Sequence, residues 1–195
     1  MGEESKHSLL SGAVCCAAPT DPIVCNVALK RQPIMDKALA YILKEVLLKD
    51  EVLQLFKTRP SIECQKGQSC STLRQFDHYI IAPQFGFRSC TEYYRKSGAG
   101  YTLMDIAEPT LFLYASNDIT IPIDVFCPED YDGNPYICAV ITRYGSHSMS
   151  WMQGIWKLYS WQTEITMQYL RAVFVLKCKD RFDKTNLNVY FKCTI

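Results

Sequence analysis

The sequence predicts an α/β domain built on a parallel sheet, and three observations carry that expectation. Residues 110–115, Thr-Leu-Phe-Leu-Tyr-Ala, are apolar on both sides, as a strand covered on both faces must be. Residues 136–144 are again rich in β-formers and stop at Gly145. Between a strand-like run at residues 11–18 and Pro109, the chain is mainly helical in periodicity. The two later strands each deliver a polar, titratable residue just past the C-terminal end, Asp118 and His147. An open parallel sheet places its active site at that edge.

The elements follow in chain order. Residues 1–10 read as a ragged helix end and a loop, too polar and charged for a secretory leader. Residues 11–18 read as a strand whose small side chains suit close packing, ended by Pro19 and an Asp21-Pro22 turn. Cys15, Cys16 and Cys138 read as small buried hydrophobes. Residues 35–56 read as one helix, with Leu39, Ile42, Leu43, Val46, Leu47, Val52 and Phe56 at helical spacing and Asp36 as its cap. Pro60 and Gly67 mark residues 58–71 as loop, and residues 73–81 read as a short helix or turn. Residues 89–96 are expected to be helical with Tyr93 and Tyr94 inward, broken by Gly98 and Gly100. Leu103 and Ile106 pack ahead of the strand at Thr110. Trp151 stands where it would wall a pocket beside His147. Residues 162–176 form a helix covering one face of the sheet with Ile165, Met167, Tyr169, Leu170 and Val173, and residues 188–193 either add an edge strand or stay loose.

Composition narrows the classes. At 195 residues and 48% hydrophobic, the chain is long enough for one domain with a real core. A formal charge of +1 with no basic patch gives no reason to expect a nucleic-acid partner. No run of 18 apolar residues exists to span a membrane. Ten cysteines without a C-x-x-C pair, and only three histidines, give no zinc-ligand pattern and suit reduced thiols in a cytosol-facing domain.

Asp118 and His147 suit one chemistry. A histidine general base needs a carboxylate on its far ring nitrogen, to fix the tautomer and stabilise the imidazolium formed in the transition state. Spacing alone leaves two readings open: a catalytic pair, or a turn-starting aspartate and a surface histidine. His78 is read as a packing histidine, since it lies far in sequence from any nucleophile candidate.

The residues also carry a family resemblance. EPTLFLYASNDITIP resembles the acid segment of α/β-hydrolases, where the acid stands four residues before a proline, as Asp118 does before Pro122. RYGSHSMSWMQG resembles the family's histidine segment, usually Gly-Gly-His before an aromatic. FGFRSCTEYYRKSGAGYTLMDIAEPT resembles the branch holding abhydrolase-domain lipases, which act on monoacylglycerols and phospholipids, and medium-chain fatty-acid ester hydrolases. The likeness covers residues 11–173, strongest over 76–154 and loose before Arg59. Two positions depart from the pattern. Ser146 replaces the second glycine, which requires a backbone angle that admits a Cβ. Asn117 stands where the branch often has another aspartate.

The resemblance implies a partial α/β-hydrolase fold: the last three core strands of a mostly parallel sheet, with a helical excursion between the first two. Residues 1–176 would be the C-terminal part of that domain, 19–108 its lid-like region, and 177–195 an unassigned tail. Phe85, Phe87, Tyr93 and Tyr94 become candidates to face an acyl chain. His147 would be the base, Asp118 its orienting acid, and the reaction hydrolysis of a lipid or medium-chain acyl ester, with no cofactor and no metal. The partner would be that lipid or small ester. The family is often anchored through its N-terminal part, so the location would be cytoplasmic or membrane-associated.

Such an enzyme orders its residues Ser, Asp, His, with the serine in G-x-S-x-G. No such motif occurs in these 195 residues, and Leu10-Ser11-Gly12 has no strand before it. The expectation is that the N-terminal half bearing the nucleophile is missing and that the chain alone is inactive. Three explanations stand: a truncated gene model or isoform of a serine hydrolase; a split product or non-catalytic pseudoenzyme, an interaction module docking through the edge at residues 12–18; or a self-contained domain with different chemistry.

Overall fold

A computed structural model describes residues 1–147, 151–152 and 158–178. Two compact units are present, one of Met1–Thr20 with the chain from Ala99 onward, the other of Asp21–Gly98. The first holds the sheet. Strands β1 (Ala13–Cys16), β2 (Thr110–Ala115) and β3 (Ile137–Thr142) lie in that order, all parallel. The fold is α/β, as expected. β2 is buried along its whole length, as its two apolar faces require. Ala115 pairs with Thr142, so β2 and β3 end level and release their loops side by side. β1 is shorter than residues 11–18, because Ala17 turns out of the strand at φ 47°. Cys15, Cys16 and Cys138 are half-buried, and burial pushes all three thiols above their ordinary pKa.

The second unit is helical: α1 (Pro22–Lys30), α2 (Pro33–Leu47), α3 (Asp50–Lys57), α4 (Cys64–Ser69), α5 (Leu73–Phe76), α6 (Ala82–Gln84) and α7 (Cys90–Ser97). Asp21-Pro22 is a helix start rather than a turn. The Asp21 carboxylate accepts the Ile23 and Val24 N–H groups at 2.8 and 3.1 Å, and Pro22 takes the first helical position. Residues 35–56 are two helices, not one. At about 100° per residue, a continuous helix would put Leu43 and Leu47 nearly opposite Val52 and Phe56. The break at Leu48–Lys49 lets all four meet one cluster with Ile62, Phe76 and Ile80. Ile42 and Val46, which share the helical spacing, face solvent instead. Asp36 does not cap its own helix; its buried carboxylate accepts the Leu73 N–H at 2.7 Å, at the start of α5.

The expected loop at residues 58–71 contains α4. Gly67 allows it: a Cβ there would lie 2.4 Å from Ile80 Cδ1. Between α5 and α6 the helix widens to a π turn, Asp77–Ile81. Pro83 supplies the reason, since it has no N–H for the Tyr79 carbonyl four residues back. That carbonyl accepts the Glu63 N–H instead, at 3.1 Å.

In the sheet-bearing unit, Asn134 follows α8 (Pro128–Asp132) and is buried. It donates to the Leu103 and Ile106 carbonyls, both at 2.8 Å, and pins the segment leading into β2. The Tyr114 hydroxyl reaches Tyr131 at 3.0 Å and the Ala18 carbonyl at 3.2 Å, joining the end of β1 to the loop beyond β2. Residues 151–152 pair antiparallel with 158–159. Ser160 then opens α9 (Trp161–Cys178), accepting the Thr163 N–H on its hydroxyl. α9 packs on β1, with Ile165 half-buried and Tyr169 and Val173 buried along a four-residue repeat, whereas Met167 and Leu170 are exposed, contrary to the expected apolar face. Gly12 permits the approach, since a Cβ there would lie 3.0 Å from Val173 Cγ1. Residues 179–195, with the possible strand at 188–193, lie outside the described residues. Among those described, no helix is long and apolar enough to cross a membrane.

Candidate active site

The level ends of β2 and β3 bring Asp118 and His147 together. The Ser116 N–H continues the ladder onto the Thr142 carbonyl at 2.8 Å, and the Asp118 N–H turns back to the Ala115 carbonyl at 3.1 Å. The loop after β2 is therefore a tight turn, and the Asp118 side chain completes it. Asp118 Oδ1 accepts the Thr120 and Ile121 N–H groups at 2.7 and 2.9 Å. Aspartate is suited to this role because its short carboxylate reaches backbone two and three residues on. Pro122 follows and starts a 3-10 turn at Ile123–Val125.

Oδ2 is left for the histidine. His147 Nδ1 lies 3.0 Å from Asp118 Oδ2. The Asp118 side chain is only 2% exposed, the imidazole 51%. With the proton on Nδ1 the ring donates to the carboxylate, and Nε2 becomes its proton acceptor. Both carboxylate oxygens are then occupied by donors, so Asp118 is fixed in orientation from two sides. Such an arrangement can take a proton from a hydroxyl at Nε2 and hold the resulting imidazolium.

Both departures from the family pattern meet here. Gly145 has φ 151° and Ser146 φ 55°, the left-handed region that favours glycine. The Ser146 N–H donates to Asn117 Oδ1 at 2.9 Å. In the sequence, Asn117 stands out only as an asparagine where the branch often has an aspartate. Its partner lies 29 residues away, so no local turn pattern signals this bond.

The other candidates lie elsewhere. His78 sits in the π turn of the helical unit, where its Nδ1 accepts the Cys90 N–H at 3.4 Å at the start of α7. Tyr93 stacks on Phe85 and contacts Phe87 and Tyr94, so those four candidates form one aromatic cluster of the helical unit. Tyr94 is buried and donates to Asp77 Oδ2 at 2.5 Å, while Phe85 is exposed. The side chain of Trp151 lies outside the described residues. Among the described residues, no group of three or more His, Cys, Asp or Glu side chains is arranged to hold a metal ion.

The parallel sheet, its helical excursion after β1 and its two polar loops define a partial α/β-hydrolase fold. Comparison with curated proteins agrees: the chain is a relative of the abhydrolase-domain hydrolases. It is 27% identical over 142 residues to protein abhd-3.2 of Caenorhabditis elegans, covering 71% of this chain and 37% of that one. It is 26% identical over 113 residues to phospholipase ABHD3 of Mus musculus, covering 57% of this chain and 27% of the relative. A 77-residue match, 32% identical, joins it to monoacylglycerol lipase of Saccharomyces cerevisiae, covering 39% of this chain and 17% of the lipase. The chain thus spans well under half the length of these relatives. No protein-family profile and no solved structure matches it.

Proposed function

We propose that this chain supplies the acid and the base of a serine hydrolase acting on carboxylic esters of lipid or medium-chain acyl type. The observation that carries the reading is the Asp118 Oδ2–His147 Nδ1 approach of 3.0 Å, between loops released by adjacent parallel strands. The relatives' names support the substrate class: one is a phospholipase, another a monoacylglycerol lipase.

In this mechanism a serine from polypeptide outside these 195 residues attacks the ester carbonyl. His147 takes the serine proton at Nε2 and returns it to the leaving alcohol, and Asp118 orients the ring and balances its charge. Backbone N–H groups outside this chain stabilise the tetrahedral oxyanion. Water repeats the cycle to release the acid. Residues 19–108 are the excursion such folds insert between core strands, and residues 1–176 the hydrolase portion.

The test uses the chain alone and the chain co-expressed with the N-terminal part of an abhydrolase-domain relative. Alone, it should neither turn over short esters nor take a fluorophosphonate label. Assembled, it should hydrolyse them, and His147→Gln should abolish the turnover. Labelling of the lone chain at one serine, or assembled activity indifferent to His147→Gln, would defeat the proposal.

A further inference from the structure

We infer that Asn117 is a positioning residue for His147, an inference that rests on the acid–base reading of Asp118 and His147. The argument begins with the ring's surroundings. His147 is half in solvent, so among the described residues hydrogen bonds bear most on its orientation. One of these is its own bond to Asp118. A second acts one residue earlier, on the backbone, where the Ser146 N–H donates to Asn117 Oδ1.

The two bonds form a matched clamp. Asn117 and Asp118 are consecutive in one turn, and Ser146 and His147 are consecutive in the other. The first residue of each pair bonds the first of the other, and the second bonds the second. The acid loop thereby sets both where the histidine's backbone lies and which way its ring points.

The geometry of the second turn gives the clamp something to hold. After β3, Gly145 and Ser146 both adopt positive φ. A residue with a Cβ is disfavoured at φ 55°. The hydrogen bond from Ser146's own N–H helps hold that conformation, and His147 follows directly. An amide at position 117 accepts the N–H without adding a second negative charge beside Asp118. The two departures from the family pattern are therefore one device.

The chain has three histidines, so its imidazole nitrogen-15 spectrum is simple and His147→Gln assigns the signals. In the wild type, His147 should be mainly the Nδ1–H tautomer, and Asp118→Asn should reverse it. Asn117→Ala should raise the other tautomer about fivefold, the effect of one ordinary hydrogen bond, with Tm lowered by no more than the ~2–4 °C that one such bond accounts for. Asn117→Asp, which keeps the acceptor, should retain the wild-type ratio. An Ala variant with the wild-type ratio, an Asp variant that behaves as Ala, or a Tm loss well beyond ~4 °C, which would mean general unfolding of the loop, would overturn the inference and leave the acid–base pair standing. A wild type lacking an Asp118-dependent Nδ1–H tautomer would overturn both.

Discussion

Asp77 offers a quantitative test of the helical unit. It is 8% exposed and accepts the Tyr94 hydroxyl at 2.5 Å. Burial pushes its pKa up to about 6, against the lowering effects of the Tyr94 bond and the nearby Arg74 charge; Asp36 raises it further. In the unfolded chain the carboxyl titrates near ~3.9. A folded pKa above the unfolded one means the folded state holds its proton more tightly. The associated stability is present below the unfolded value and is lost as pH rises through the folded one. Asp77→Asn removes the charge and keeps an acceptor for Tyr94. Its advantage over the wild type should grow from about 1 kcal/mol near pH 4.5 to about 3 kcal/mol above pH 7. Urea denaturation of both proteins across that range measures the difference, which cancels the titration of carboxylates that do not interact with Asp77. A variant no more stable than the wild type near neutrality, or a gap that does not change with pH, would refute the reasoning.

Two further perturbations test the frame of the site. Ser146→Gly relieves the left-handed strain and gives back part of the gain as unfolded-state entropy. It should stabilise by a net ~0.5–1 kcal/mol, read as a higher urea midpoint, and a lower midpoint would show that the serine is not strained. Asn134→Ala leaves the buried Leu103 and Ile106 carbonyls without their side-chain donor. A cost of about 2–4 kcal/mol is expected, and a loss under ~1 kcal/mol would mean that water replaces the amide.

Much of this was legible because it is local. The run at 110–115 carries apolar side chains toward both faces, and it became a strand with those bounds, buried throughout. The acid and histidine loops were readable because each needs a short polar motif at a strand end. What the sequence hid was phase and partnership. Val52 and Phe56 continue the apolar run of Leu43 and Leu47 but out of helical phase with it, so one expected helix became two. Asp36 looked like a cap for its own helix, yet serves another 37 residues away. A π turn set by Pro83 and a carbonyl taken up by Glu63 depend on tertiary contacts that no window of sequence displays. Asn117 and Ser146 were both visible as departures, but their bond spans 29 residues and follows only from the level ends of β2 and β3.

The proposed role of Asp118 is to orient His147 as the base of ester hydrolysis, and Asp118→Asn probes it most directly. The variant keeps the shape of the side chain and the means to hold its loop, but loses the charge that selects the Nδ1–H tautomer. The measurement is kcat for a short ester in the assembly with the N-terminal part of an abhydrolase-domain relative, wild type against variant at equal assembly. A fall of about 10⁴-fold, the size seen for the equivalent change in a serine protease, is the predicted result. Activity within about tenfold of the wild type would contradict it.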